Sequence, residues 1–235
     1  TPRQVLGTAA QIVKKHGGLL VCDAVPAAGR IHIEMAALGA DLIALSAHKI
    51  GGPSGVGALV RATDAVHIVE PLVRGGGQEK GLRGGTENLP GCAGFGAAAA
   101  VARAELETLA IRIRGLRERL EAGLRAIDAE VAIFGAGTER LSNTLCFAFQ
   151  GVTAETALIS LDLAGFAVSS GSACSSGKVK ASHVLEAMGV NPDIAKGMMR
   201  VSLGWPTKDT DIESFLEALP RLRANTAAVG KVLAA

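Results

Sequence analysis

Tyrosine is missing from this chain of 235 residues, tryptophan occurs once and phenylalanine six times, so aromatic residues amount to 3%. Surfaces that stack nucleic-acid bases are built on aromatic rings, and this chain has too few to build one. An excess of either charge is missing as well, since 24 Lys and Arg face 22 Asp and Glu for a formal net charge of +2. A phosphate backbone calls for concentrated positive charge, so nucleic acid is not an expected partner. The longest apolar stretch, Ala93 to Ala102, is about half of the ~20 residues needed to cross a bilayer. The opening Thr1-Pro2-Arg3-Gln4 holds no signal-type apolar segment, and these features together predict a cytoplasmic protein with no membrane partner. Cysteine is scarce: Cys22, Cys92, Cys146 and Cys174 are far apart, with no C-x-x-C and no histidine at zinc-finger distance. Neither a metal cage nor a disulfide framework is signalled, and any cysteine chemistry is expected to be that of a single thiol.

Hydrophobic residues make up 49% and charged residues 20%, the proportions of a folded globular chain. With 30 glycines and few aromatics, the core must come from Ala, Val, Leu and Ile. The length suits one large domain or two modest ones.

Apolar residues at helical spacing from Val5 to Lys15, stopped by Gly17-Gly18, predict a first helix. Leu19-Leu20-Val21-Cys22 ends in Asp23 and reads as a strand covered on both faces. A short helix over Ile33 to Leu38 and a buried strand over Asp41 to Ser46 follow, the latter running into Ala47-His48-Lys49. Alternation of this kind implies a mainly parallel sheet with ligands at the carboxyl ends of its strands, where Asp23 and Lys49 fall. Ala58-Leu59-Val60 is strand-like, and Gly75 to Gly85 is an irregular loop. Leu89 to Ala126 reads as one long helix, its Ala-rich first half expected to be buried and Arg103 to Arg125 expected to emerge into solvent. A domain boundary is placed near its midpoint. Beyond it, strands are expected at Val131–Phe134, Thr144–Phe149, Ala167–Ser169 and Met199–Leu203, with helices at Ala154–Ala164, Ser182–Met188 and Asp209–Val232, the last kinked or divided by Pro220.

A lysine at the end of a buried strand is unusual, because burying an ammonium is unfavourable unless it is paired or neutral. Desolvation would make Lys49 a nucleophilic amine suited to carbonyl compounds, while the alternative is an ordinary snorkelling lysine. Asp23 favours the first reading, because a pyridoxal phosphate site needs a lysine for the aldehyde and a carboxylate for the ring nitrogen. Alone, Asp23 is equally a turn residue. Ser46 and His48 can donate to a phosphate, as can Thr86, whose other reading is a helix cap. Cys174 lies in the small polar stretch Ser169 to Gly177, where it is either a nucleophile with a stabilised thiolate or an idle thiol. Cys22, Cys146 and Cys92 read as core residues, and His183 as a helix-end histidine. Arg200 interrupts an apolar strand, which suits either a bidentate clamp on a carboxylate or an edge strand facing water.

Asp23-Ala24-Val25, Ser46-Ala47-His48-Lys49, Arg83-Gly84-Gly85-Thr86, Ser169-Ser170-Gly171-Ser172-Ala173-Cys174 and Arg200-Val201-Ser202-Leu203-Gly204 together resemble the cysteine desulfurases of the NifS/IscS type, in order and spacing. The resemblance covers essentially the whole chain and implies an α/β fold-type I pyridoxal-phosphate enzyme with the mainly parallel sheet of a large domain and a smaller C-terminal domain. It implies that residues 1–112 belong to the cofactor-binding domain and 113–235 form the small domain with the cysteine loop. It further implies a homodimer converting L-cysteine to L-alanine, with a persulfide left on Cys174 and passed to an iron-sulfur scaffold or another acceptor protein. By the same resemblance Lys49 holds the cofactor and moves the substrate Cα proton, and Asp23 pairs with the ring nitrogen. Ser46, His48 and Thr86, the last from the other subunit, bind the phosphate; Arg200 clamps the substrate carboxylate; Cys174 is the sulfur acceptor and a candidate transient iron-sulfur ligand. Where the family carries glutamine three residues after the aspartate, this chain has Pro26, which has no side-chain donor. The family's N-terminal phosphate turn and ring-stacking histidine have no counterpart, so the chain matches the C-terminal three-fifths of such an enzyme. A selenocysteine lyase with the same cofactor and a non-catalytic interaction module that retains the fold are the alternatives.

Overall fold

Leu6, Ala9, Ala10 and Val13 turn one face of the first helix inward, as their spacing requires. The computed structural model describes residues 2–171 and 182–220. Two compact units divide the chain, Thr1–Thr108 and Leu109–Ala235.

The first unit opens with α1 (Pro2–Lys15), whose last turn carries Lys14 and Lys15 where cations suit the helix dipole. Next come β1 (Val21–Asp23), α2 (Met35–Leu38) and β2 (Leu42–Ser46), which continues directly into a single 3-10 turn, Ala47–Ile50. β3 (Gly57–Arg61) completes a three-stranded sheet of order β1-β2-β3. β1 and β2 are parallel, with Val21, Cys22 and Asp23 opposite Leu42, Ile43 and Ala44. β3 returns antiparallel to β2, so the sheet described here is mixed. The buried centre of this unit is small: Ala24, Ala40 and Ile43, with Leu20, Cys22, Ile33, Met35, Leu38 and Leu45 packed round it. The expectation that the first strand is covered on both faces fails, because Val21 is 60% exposed. A turn over Gln78–Gly81, with Glu79 and Lys80 in the left-handed region at φ 50° and 58°, lies inside the glycine-rich loop.

α3 spans Leu89–Ile127, matching the expected limits to one residue. Its burial is the reverse of the expectation. Most of the Ala-rich half is exposed, with Gly94, Phe95, Ala98, Ala102 and Leu106 forming the inward stripe, whereas Ile113, Leu116, Leu120 and Leu124 bury one face of the charged half. An alanine-rich helix states no preferred face, whereas leucines at helical spacing do so even among charges. Arg103 to Arg125 is therefore amphipathic.

The second unit contains β4 (Ala132–Ile133), β5 (Thr144–Ala148), α4 (Ala154–Leu163), β6 (Ser169–Ser170), α5 (His183–Ala187), α6 (Pro192–Ala195) and β7 (Met199–Ser202). A last helix, α7, is described over 209–220, so the segment after Pro220 lies outside the described residues. The sheet order is β4-β5-β7-β6, every pairing antiparallel. Sixteen buried residues form one cluster, with Phe147, Phe149, Leu120, Leu161, Met199 and Leu219 at its centre. Phe147 and Phe149 meet edge to face at 5.6 Å, as do Phe166 and Phe215 at 5.3 Å. Among the described residues no helix is long and apolar enough to cross a membrane.

Candidate active site

Parallel pairing of β1 with β2 sends both strands out of the sheet at the same end. Asp23 is in register with Ala44, and Ser46 stands two residues further along β2, so alternation sets Asp23, Ala44 and Ser46 on one face at the carboxyl edge. Lys49 follows in the 3-10 turn that β2 enters. Asp23 accepts the Val25 backbone N–H through Oδ1 at 2.9 Å, an Asx turn that orients the carboxylate. The turn reading and the site reading of Asp23 are thus compatible, since one carboxylate oxygen forms the turn and the other is not engaged among the described residues.

Ser46 Oγ lies 2.8 Å from His48 Nδ1. Engagement of Nδ1 leaves Nε2 as the ring nitrogen open to a ligand. His48 and Lys49 are both exposed, which removes the buried-ammonium argument for Lys49: the strand it follows is covered, but the turn carries its side chain out of the sheet. Gly51, at φ 86°, closes the turn with its N–H on the Ala47 carbonyl. Sequence reasoning missed Arg30, half-buried in the loop after β1. Its Nη1 donates to the carbonyls of Ala28 at 3.2 Å and Lys49 at 3.1 Å, and burial holds its pKa below the ordinary arginine value. The signal was an arginine directly after the uncharged segment Ala24-Val25-Pro26-Ala27-Ala28-Gly29.

Thr86 is exposed and does not cap α3. Asn88 does, its Oδ1 accepting the Gly91 N–H at 3.1 Å. Pro26 is exposed on the loop after Asp23. Cys92 is exposed rather than a core residue, and Cys22 and Cys146 are only partly buried. Burial pushes the Cys146 thiol above its ordinary value against the opposing influence of Arg200 and Arg140. His183 opens α5 and is exposed. Cys174, and with it most of the cysteine loop, lies outside the described residues.

Arg200 belongs to the second unit. β7 lies between β5 and β6, so the edge-strand reading fails. Arg200 is flanked by Cys146 and Ser169, and its Nε is buried without a hydrogen-bond partner among the described residues. A buried guanidinium donor left open in this way suits an anion. No group of His, Cys, Asp and Glu among the described residues is arranged to hold a metal ion.

The chain superposes on the NifS-like protein of Rickettsia africae with a TM-score of 0.83 at 36% identity, over 93% of this chain and 57% of that one. A second NifS-like structure gives 0.81 at 33% identity over 93% and 56%. The architecture is therefore the α/β fold-type I class. Residues 3–215 match the family Aminotransferase class-V, and the chain belongs to that family. It is 40% identical over 217 residues to a cysteine desulfurase of Gluconacetobacter diazotrophicus, covering 92% of this chain and 54% of the relative. It is 42% identical over 211 residues to one of Cereibacter sphaeroides, covering 90% and 53%. The chain thus spans about half the length of the curated relatives it matches.

Proposed function

We propose that the protein this chain belongs to is a pyridoxal-phosphate-dependent cysteine desulfurase, converting L-cysteine to L-alanine and retaining the sulfur as a persulfide on Cys174. The observation that carries the reading is the common carboxyl edge of β1 and β2, where Asp23 and Ser46 share a face and the Lys49 turn begins. An acid and an amine on adjacent strand ends are the pair a pyridine aldehyde requires. The donors present fit the cofactor: a carboxylate with one oxygen committed to orienting it, a serine-histidine pair for phosphate and an exposed amine.

When bound, the cofactor supplies an electron sink for the bonds around the substrate Cα. In this reading Asp23 keeps the ring nitrogen protonated, Lys49 holds the aldehyde carbon and moves the Cα proton, and Ser46 and His48 hold the phosphate. Thr86 joins them from a second copy in a homodimer. Arg200, with its open Nε donor, binds the substrate carboxylate. The Cys174 thiolate bonds to the substrate sulfur as the carbon–sulfur bond breaks. The bonding pair stays on the carbon, which takes a proton to become the alanine methyl group. The persulfide then passes to an acceptor protein in a cytoplasmic sulfur pathway such as iron-sulfur cluster assembly.

Incubation with pyridoxal phosphate is expected to give a visible absorption band that Lys49→Ala abolishes. Cys174→Ser is expected to keep the band and lose the protein-bound persulfide. Undiminished sulfur transfer in Cys174→Ser would reject the nucleophile. Pro26, which offers no donor to the ring's phenolic oxygen, favours a second reading, a binding module that retains the fold without catalysis. That reading predicts no band in the unmodified protein.

A further inference from the structure

Lys49 reaches its position through one 3-10 turn of four residues, a conformation with poor hydrogen-bond geometry of its own. Within that turn Gly51 and Gly52 both donate to Ala47, which leaves the Lys49 carbonyl without an internal partner. Arg30 supplies the partner, its Nη1 donating to that carbonyl at 3.1 Å and to Ala28 at 3.2 Å. The guanidinium is rooted in the loop that follows Asp23. There the N–H groups of Ala27 and Ala28 donate to Ala24 and that of Arg30 to Ala27. One side chain therefore bridges the loop after Asp23 and the turn that carries Lys49.

The surroundings leave that bridge little slack. A Cβ at Gly29 would lie 3.0 Å from Ile50 Cγ2 and 3.4 Å from Ala102 Cβ. One at Gly52 would lie 3.0 Å from Ala47 Cβ and 3.2 Å from Ala98 Cβ. The loop, the turn and the small-residue stripe of α3 are thus in close contact on either side of Lys49. A charged donor strengthens each hydrogen bond relative to a neutral one, and both Nη1 hydrogens are used.

We infer that Arg30 is a positioning residue for Lys49, setting the backbone from which the amine projects relative to the loop that carries Asp23. The inference rests on the proposed role of Lys49 and adds a residue that acts through the Lys49 backbone.

The test is reductive trapping of pyridoxal phosphate with borohydride, followed by peptide mapping to compare Lys49 with the other lysines. Amide hydrogen exchange at Ile50, Gly51 and Gly52 is measured alongside. The chain is compared as itself and as Arg30→Met, Arg30→Lys and Arg30→Gln. Arg30→Met is expected to lower the preference for Lys49 on the order of tenfold, as misplacement of a reacting group does. It is also expected to speed exchange at the three amides, and Arg30→Lys, which keeps a charged donor, to recover most of both. Should Arg30→Met lose the fold, Arg30→Gln takes its place, with an effect between the two. Unchanged preference for Lys49 in a folded neutral variant overturns the inference, and so does faster exchange with trapping unchanged, which marks a structural tether alone. A chain with its native Arg30 and no preference for Lys49 overturns the reading of Lys49 itself, a failure recognisable without any variant.

Discussion

The two units position their candidate site residues by different means. Among the described residues of Leu109–Ala235, sixteen buried ones form one cluster around an antiparallel sheet. Thr1–Thr108 has three at its centre, while Val21, Leu59 and Val60 on its strands and Leu72 in its loops are exposed. Yet the first unit holds Asp23, Ser46, His48 and Lys49. Its order there comes from local devices: the Asx turn at Asp23, the αL closure at Gly51, the Arg30 bridge and close approach of Gly and Ala. The second unit holds Arg200 on an inner strand, between Cys146 of β5 and Ser169 of β6. Stability in one chain is unevenly distributed, and segments with little buried apolar area open most readily.

The contrast fails most visibly if truncating a strand residue has the same effect in the two units. Phe147→Ala, at a fully buried site in edge-to-face contact with Phe149, is expected to destabilise the second unit by about 3–5 kcal/mol in urea unfolding. Leu59→Ala, on exposed β3, is expected to change stability by less than about 0.5 kcal/mol. A large loss for Leu59→Ala would mean that β3 is covered in the assembled protein.

Caps sharpen it at a smaller scale. Asn88→Ala removes the 3.1 Å bond to Gly91 and is expected to weaken the start of α3 by about 1 kcal/mol, read from amide exchange at Gly91 and Cys92. Thr153→Ala at the start of α4 is expected to do less, because its bond to the Thr156 N–H is 3.5 Å, at the limit of such contacts.

The smallest expected effect is on pH dependence. Burial raises the Cys146 pKa above 9.0, so the folded state keeps a proton that the unfolded chain releases. That contribution is intact below the unfolded value and is lost as pH climbs through about 9 and above, in the direction linkage requires. Cys146→Ala is expected to flatten the fall in stability over that range, and Cys92, being exposed, is expected to alkylate faster than Cys146 at pH 8. Equal rates would contradict the difference in burial.

Much of the candidate site was legible because strand ends announce themselves. Leu42–Ser46 is apolar until the polar residues begin, and a run of that kind ending in Ser-Ala-His-Lys can be read without coordinates. The limits of α3 were legible for a similar reason, since the glycine-rich loop ends at Gly85 and an unbroken helical run follows, although the residue that caps it is Asn88 and not Thr86. Its burial was not, because Ala97, Ala99 and Ala100 suit water or a partner equally well. Arg200 shows the same limit. Its motif marked an arginine in a strand, but edge and interior differ only in what pairs on the far side, and β6 was a two-residue strand.

By itself the sequence determined periodicity, turn chemistry and the order of reactive side chains, because these depend on neighbours a few residues away. It thereby specified the α/β alternation and the residues that end β1 and β2. The parallel pairing of β1 with β2 follows the expectation from that alternation, whereas only the tertiary structure decided that β3 runs back against β2 and that Arg30 meets the Lys49 carbonyl. These are contacts between residues far apart along the chain. They are set by which faces bury together and which backbone groups lack a local partner, and no window of sequence contains both sides of such a contact.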